Sequence, residues 1–327
     1  MDNKNADKAV RLIRPGGVEQ LVAVDWPAEA PGPGEIRLRH EAIGLNFIDI
    51  YHRTGLYPLA DPAIPGVEGV GIVEALGEGV CDLTVGQSIA YAGLPGAYAA
   101  TRRLPAWRAV PLPETIPPRT AAASLFRGLT AHMLLTRIHP VLPGDTVLVH
   151  AAAGGLGAVL TRWIRHLGGT VIGTAGSEAK AEVARANGAD HVVVGREADV
   201  VGEVARLTAG RGVDFTVDGI GGTMLARSFL CTRRFGVVAS IGQAAGPIPP
   251  VAVEEIGPMR SLIFARPSVM AHCAERELYP DAVRAVFAMI EAGIAAGSGP
   301  TYALADAAKA QADLEAGRIT GSAVLLP

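Results

Sequence analysis

The stretch from Thr146 to Thr174 constrains this chain more than any other. Thr146-Val147-Leu148-Val149-His150 is an apolar run without polar alternation, set off by the turn Pro143-Gly144-Asp145. A strand of that kind is buried on both faces, the condition of a parallel sheet covered by helices. Ala151-Ala152-Ala153-Gly154-Gly155-Leu156-Gly157 follows at once, then a helical stretch over 158–167 and a second apolar run over 170–174. Against the pattern G-x-G-x-x-G, Ala152 takes the first position, Gly154 the second and Gly157 the third. Such a turn needs a residue without Cβ where a pyrophosphate approaches and a small residue where helix meets strand. The helix N-terminus then offers amide donors to the anion. Its place between one strand and a helix, with another strand beyond, gives the motif its weight.

The alternation continues through helical 178–187, strand-like 191–194, helical 200–208 and the apolar runs 213–217 and 237–241. These are βαβ units, and they predict a doubly wound parallel sheet. The first 120 or so residues differ: short alternating runs such as Glu35-Ile36-Arg37-Leu38-Arg39, 69–73 and 88–91 are separated by turns such as Pro31-Gly32-Pro33-Gly34. That texture predicts an irregular β-rich domain. After about residue 265 the pattern turns mixed again, with a helix over 281–292 and a strand over 323–326. A chain of 327 residues has room for two domains. The expected division is α/β: a nucleotide-binding domain at 126–265, inserted into a domain built from 1–125 and 266–327.

Charge and cysteine content exclude several classes of function. Twenty-nine Lys and Arg against 32 Asp and Glu leave a net charge of -3, with no basic stripe for nucleic acid. Cys81, Cys231 and Cys273 lie far apart and form no C-x-x-C pair, so neither a disulfide framework nor a structural zinc knot is expected. The N-terminal residues lack the apolar core of a secretion signal, and the longest apolar stretch, around 146–160, is broken by His150 and glycines. A cytoplasmic protein without nucleic-acid or membrane partners is expected. The scattered histidines His132, His139, His150, His191 and His272 show no metal spacing and read as structural or surface residues, and no G-x-S-x-G elbow suggests a hydrolase.

The end of the second apolar run bears on cofactor choice. An NAD site usually carries Asp or Glu there to accept from the ribose 2′-hydroxyl. This chain reads Gly173-Thr174-Ala175-Gly176-Ser177, followed by Lys180 on the next helix. A missing acid together with a hydroxyl and a lysine suits a 2′-phosphate, so NADPH is the expected cofactor.

Ala42-Ile43-Gly44-Leu45-Asn46-Phe47-Ile48-Asp49-Ile50-Tyr51-His52-Arg53-Thr54-Gly55-Leu56-Tyr57-Pro58 resembles the signature stretch of the quinone oxidoreductases, the zeta-crystallin-like, zinc-free branch of the medium-chain dehydrogenase/reductase superfamily. The resemblance continues through Pro65-Gly66-Val67-Glu68-Gly69-Val70-Gly71, Gly128-Leu129-Thr130, His150 to Gly157, Ala265-Arg266-Pro267-Ser268 and Gly321-Ser322, and covers nearly the whole chain from about residue 8. It implies a GroES-like catalytic domain formed by both ends of the chain, a Rossmann domain between them, and a homodimer. It also implies that Asn46 and Tyr51 face the nicotinamide as catalytic and cofactor-binding residues. Further cofactor contacts carried over by position are Thr130, Gly154, Gly155, Leu156, Gly157, Gly176, Ser177, Lys180, Gln243, Phe264 and Arg266. Relatives often place Tyr or His where this chain has Gly195, with Arg196 beside it.

Zinc-dependent relatives hold their metal through a Cys, a His directly before a Glu, and an acid. Here Val67 precedes Glu68, Asn46 stands near the first ligand position, and no cysteine lies there, so no metal is expected and Glu68 reads as a structural carboxylate. Hydride transfer to an electrophilic acceptor then needs positioning and a polar group for the developing negative charge. The expected activity is zinc-independent hydride transfer from NADPH to a quinone. The alternatives are reduction of an enone, alkenal or enoyl thioester, and a non-catalytic NADPH-binding protein with a structural or RNA-binding role. Only 5% of residues are aromatic, and no aromatic-lined acceptor site stands out in the sequence.

Overall fold

The computed structural model describes residues 7–327. Short strands dominate the first part of the chain: β1 (Asp7–Leu12), β2 (Leu21–Trp26), β3 (Glu35–Gly44), β4 (Glu68–Leu76), β5 (Ser88–Ala92), β6 (Thr101–Pro105) and β7 (Val110–Pro111). Between β3 and β4 runs α1 (Phe47–Thr54), and after β7 comes α2 (Pro118–Met133), which continues into a π-helical turn at Leu134–Ile138. Alternation in β3 buries Ile36, Leu38, His40 and Ala42 while Arg39 and Glu41 face out, as period-two patterning requires.

From residue 146 the chain alternates strand and helix: β8 (Thr146–Val149), α3 (Gly155–His166), β9 (Thr170–Ala175), α4 (Glu178–Ala186), β10 (His191–Val194), α5 (Val200–Leu207), β11 (Val213–Asp218), α6 (Met224–Cys231), β12 (Thr232–Ser240), α7 (Val253–Ile256) and β13 (Ile263–Ala265). The chain closes with α8 (Val269–Ala274), α9 (Tyr279–Glu291), β14 (Thr301–Ala303), α10 (Ala307–Glu315) and β15 (Val324–Leu326). None of the helices among the described residues is long and apolar enough to cross a membrane.

Two compact units result. One comprises Thr130–Val269, and the other runs up to Leu129 and resumes at Met270–Pro327. The junctions thus fall four residues beyond the 125 and 265 of the sequence expectation, because α2 carries the first unit further along the chain.

In the unit of Thr130–Val269, six strands form one sheet in the order β10-β9-β8-β11-β12-β13, every neighbouring pair parallel. Counted within the unit this is 3-2-1-4-5-6, the Rossmann order, whose direction reverses between β8 and β11. Val147, Leu148, Val149, Val171, Ile172, Phe215 and Val238 are almost fully buried in it, which explains why these strands read as unbroken apolar runs.

In the other unit, a seven-stranded sheet contains the path β14-β15-β3-β4-β5-β7, with β6 on β3. Early and late segments of the chain meet here: β15 pairs antiparallel with the end of β3, Val324 opposite Gly44 and Leu325 opposite Ile43. Ile36, Leu38, Ile43, Leu45, Ile89, Tyr91, Tyr98 and Leu325 fill the core beneath it.

Candidate active site

The carboxyl ends of the parallel strands carry most of the residues singled out for a cofactor. Ala151 leaves β8 with φ +51, and the Gly154 amide donates back to the Ala151 carbonyl at 2.8 Å. Gly154 is the extended N-cap of α3, and Gly155 and Leu156 form its first turn. A Cβ on Gly157 would collide with the Ala151 carbonyl and the Ala152 Cα, so only glycine lets the helix lie this close to the turn. At Gly154 a Cβ would meet only the Ala151 carbonyl, at 3.2 Å; this position stands open in front of the helix N-terminus. A pyrophosphate group fits that cradle: a bare backbone facing α3, whose first amides lack intrahelical partners.

At the end of β9, Gly176, Ser177 and Lys180 are all exposed, and Ser177 caps α4 by accepting from the Lys180 amide at 3.4 Å. A Cβ on Gly176 would lie 3.6 Å from Arg196 Cγ, so the Arg196 side chain runs alongside this loop. Gly195 has φ +113, a conformation a tyrosine or histidine rarely adopts.

Gln243 follows β12, and Arg266 follows β13, where its guanidinium donates to Ser240 Oγ at 2.8 Å and the Gly242 carbonyl at 3.3 Å. These residues share the carboxyl edge of the sheet. Phe264 lies within β13 and packs edge-on against Phe229, with ring centroids 5.3 Å apart. Thr130 is buried on α2, apart from this edge in sequence.

The other unit holds Asn46 and Tyr51, both on the α1 segment. Asn46 is the N-cap, and its amide N–H donates to Asp49 Oδ2 at 2.9 Å. Its side-chain Nδ2 donates to Glu68 Oε1 at 2.6 Å. Glu68 is fully buried and accepts a second bond on Oε2 from the Phe126 amide at 2.8 Å. Gly44 makes room for this carboxylate, since a Cβ there would collide with Glu68 Oε1 and the Ala122 carbonyl. Tyr98 donates its hydroxyl to Asp49 Oδ2 at 2.9 Å, and Arg127 donates to the Leu45 carbonyl at 2.6 Å.

Burial pushes the carboxyl of Glu68 up to about 7, against the pull of the Arg127 charge and the two N–H donors. Burial likewise raises Asp49 to about 7. Glu68 therefore fixes the plane of the Asn46 amide. This role was hidden in the sequence, because Gly44, Asn46, Glu68 and Phe126 lie on separate elements.

An aromatic group was also missed. Phe47 and Tyr51 meet edge-on with centroids 5.3 Å apart, and Tyr51 meets Tyr57 at 5.7 Å with planes 89° apart. All three are half-buried or exposed, so this group is open to solvent on at least one side. Composition averaged over the chain conceals such a local cluster. The i, i+4 spacing of Phe47 and Tyr51 on a helix was the signal that could have found it.

Two family models match the chain: "Alcohol dehydrogenase GroES-like domain" over residues 32–114 and "Zinc-binding dehydrogenase" over 155–291. The residues present do not fit a zinc ion. Both Glu68 oxygens are taken by N–H donors, and among the described residues no group of three or more His, Cys, Asp or Glu could hold a metal. A 2-haloacrylate reductase from a Burkholderia species is 38% identical over 328 residues, covering 98% of each chain. The crystal structure of a quinone oxidoreductase from Pseudomonas syringae pv. tomato superposes with a TM-score of 0.95 at 38% identity, covering 98% of this chain and 100% of that one. The quinone oxidoreductase of Escherichia coli complexed with NADPH gives a TM-score of 0.94 at 35% identity, covering 98% and 100%. A GroES-like sheet built from both chain ends, a 3-2-1-4-5-6 parallel sheet and full-length likeness to these proteins lead to one conclusion: the chain belongs to the quinone oxidoreductases of the medium-chain dehydrogenase/reductase superfamily.

Proposed function

We propose that this protein is an NADPH-dependent, zinc-independent reductase whose acceptor is a quinone. The observation that carries the acceptor class is the aromatic group of Phe47, Tyr51 and Tyr57 beside the oriented Asn46 amide. A flat conjugated ring stacks on such a group, whereas a small aliphatic alkene gains little from it. The observations that support NADPH are the acid-free end of β9, with Ser177, Lys180 and Arg196, and the E. coli relative solved with that cofactor.

Bound NADPH supplies a hydride, and the quinone takes it together with one proton to become a hydroquinone. Gly154, Gly155, Leu156 and Gly157 hold the pyrophosphate by backbone amides, and Lys180 and Arg196 neutralise the 2′-phosphate. Gly176 and Ser177 border that phosphate, while Thr130, Gln243, Phe264 and Arg266 complete the dinucleotide contacts. Tyr51 donates a hydrogen bond from its hydroxyl to the quinone oxygen on which negative charge develops. Asn46, held by Glu68, orients the reacting ring of the cofactor. The reading includes a cytoplasmic homodimer: Phe235, Met259 and Ile263, 70%, 75% and 56% exposed, lie in or near the edge strand β13 and its neighbour β12.

A second reading, reduction of an activated alkene, is favoured by the likeness to the 2-haloacrylate reductase. Chelator-treated protein offered NADPH with 1,4-benzoquinone, 9,10-phenanthrenequinone, a 2-haloacrylate and a simple enone separates the two. Quinone turnover that survives chelation and prefers NADPH to NADH is expected. Turnover on the alkenes alone overturns the quinone assignment.

A further inference from the structure

His150, read from sequence as a structural or surface residue, is 5% exposed directly after β8, where the pyrophosphate turn begins. Its Nδ1 lies 3.2 Å from Thr174 Oγ1 on β9, and its Nε2 lies 3.0 Å from Ser228 Oγ on α6. Ser228 Oγ lies 2.8 Å from Oδ2 of Asp218, the last residue of β11. Asp218 Oδ1 accepts from the Ile220 amide at 2.8 Å and the Gly221 amide at 3.0 Å, shaping the loop after β11. Thr174 Oγ1 accepts from the Ala151 amide at 3.2 Å, and the Thr174 carbonyl accepts from the Ala152 amide at 3.0 Å.

The donors at the two ends give this chain a direction. An Asp218 carboxylate only accepts, and a serine hydroxyl has one proton, so Ser228 donates to Asp218 and must accept from His150 Nε2–H. Nδ1 is then the acceptor, and Thr174 donates to it while taking the Ala151 N–H on a lone pair. The opposite tautomer would set Nε2 against a hydroxyl whose proton is already committed. Burial lowers the affinity of the imidazole for a second proton, despite the Asp218 charge.

We propose that His150, as the neutral Nε2–H tautomer, is a positioning residue that ties the turn after β8 to the loop after β11 through one directed hydrogen-bond chain. The two loops flank the point where the strand order reverses, which is where a dinucleotide lies across such a sheet. The chain therefore sets the spacing between them before any ligand arrives. The role rests on the dinucleotide reading given above.

Two measurements on the full-length protein test it. Long-range ¹⁵N NMR at pH 7.5, assigned with His150→Gln, is expected to show a protonated Nε2 and an unprotonated Nδ1. The reversed pattern, or an imidazolium, overturns the proposal. NADPH titrations are expected to show Thr174→Val weakening binding roughly tenfold, with the isolated loss of one hydroxyl, and Thr174→Ser staying within about threefold of the parent. In turnover the loss falls on the KM for NADPH and not on that for the quinone. Parent-like binding by Thr174→Val overturns the positioning role, as does an equal loss in both variants. A parent protein that binds no NADPH overturns the cofactor reading and the positioning role together, whereas intact binding with the wrong tautomer overturns this proposal alone.

Discussion

The turn after β8 and the turn before α1 both hold a polar group at the end of a strand, but they do so with different materials. The first is backbone: Gly154 and Gly157 allow close approaches, and amides at the start of α3 face outward. The second is side chain: Asn46 is gripped by Glu68, which is gripped by the Phe126 amide, while Asp49 and Tyr98 brace the start of α1. At Gly157 the backbone site tolerates no added Cβ, and its amide donors do not titrate. A side-chain site tolerates isosteres, and its buried carboxyls tie its stability to protons.

The sharpest way to break this comparison is Glu68→Ala. It leaves Asn46 Nδ2 and the Phe126 amide without their acceptor and removes the nearby countercharge of Arg127, at a cost of about 3–5 kcal/mol. Urea denaturation should show that loss, with Glu68→Gln losing much less because it keeps the shape and an acceptor oxygen. If the two variants lose equal stability, the carboxylate is not the organiser of this turn.

Gly154→Val is the counterpart in the other unit. The fold should survive, because a Cβ there meets only the Ala151 carbonyl, yet NADPH binding should fall roughly a hundredfold as the added methyls block the pyrophosphate. Unchanged titration in a variant with native circular dichroism would remove the turn from the cofactor site.

Lys180→Ala should weaken NADPH roughly tenfold and NADH less than twofold, since only the former carries the 2′-phosphate; the exposure of Lys180 keeps the effect modest. Equal losses for both cofactors would mean that the lysine supports α4 and not the phosphate.

A fourth prediction concerns pH. Burial holds Glu68 and Asp49 up to about 7, well above their unfolded values near 4. Between those values the native state keeps protons that the unfolded chain releases, so stability falls as pH rises from about 4.5 to 7 and levels off above. Urea midpoints at pH 5, 6, 7 and 8 should decline in the parent and decline less in Glu68→Gln. Parallel slopes would assign the dependence to other groups.

The same contrast explains how much could be read in advance. The parallel sheet, its glycine turn and the acid-free end of β9 are contiguous in the chain, and their signals are local: unbroken apolar runs, glycine spacing, a missing carboxylate. Family likeness of 42–58 supplied Asn46 and Tyr51. What supports them could not be read, because Gly44, Glu68, Tyr98, Phe126 and Arg127 converge only through folding. His150 fell between the two cases: its position after a strand was visible, but the partners that define its protons, Ser228 and Asp218, lie more than sixty residues away.

The pairing of β15 with β3 has a consequence for how the protein is made. The turn at Asn46 hangs from the end of β3, where the Leu45 amide donates to the Ala323 carbonyl and Gly44 faces Val324. Residues 130–269 are one continuous stretch whose sheet can assemble as it leaves the ribosome. The strand that anchors Asn46 is synthesised nearly 280 residues after it, so that sheet closes later than the parallel one. A nascent chain thus completes the parallel sheet of residues 130–269 well before the turn at Asn46 is held in place.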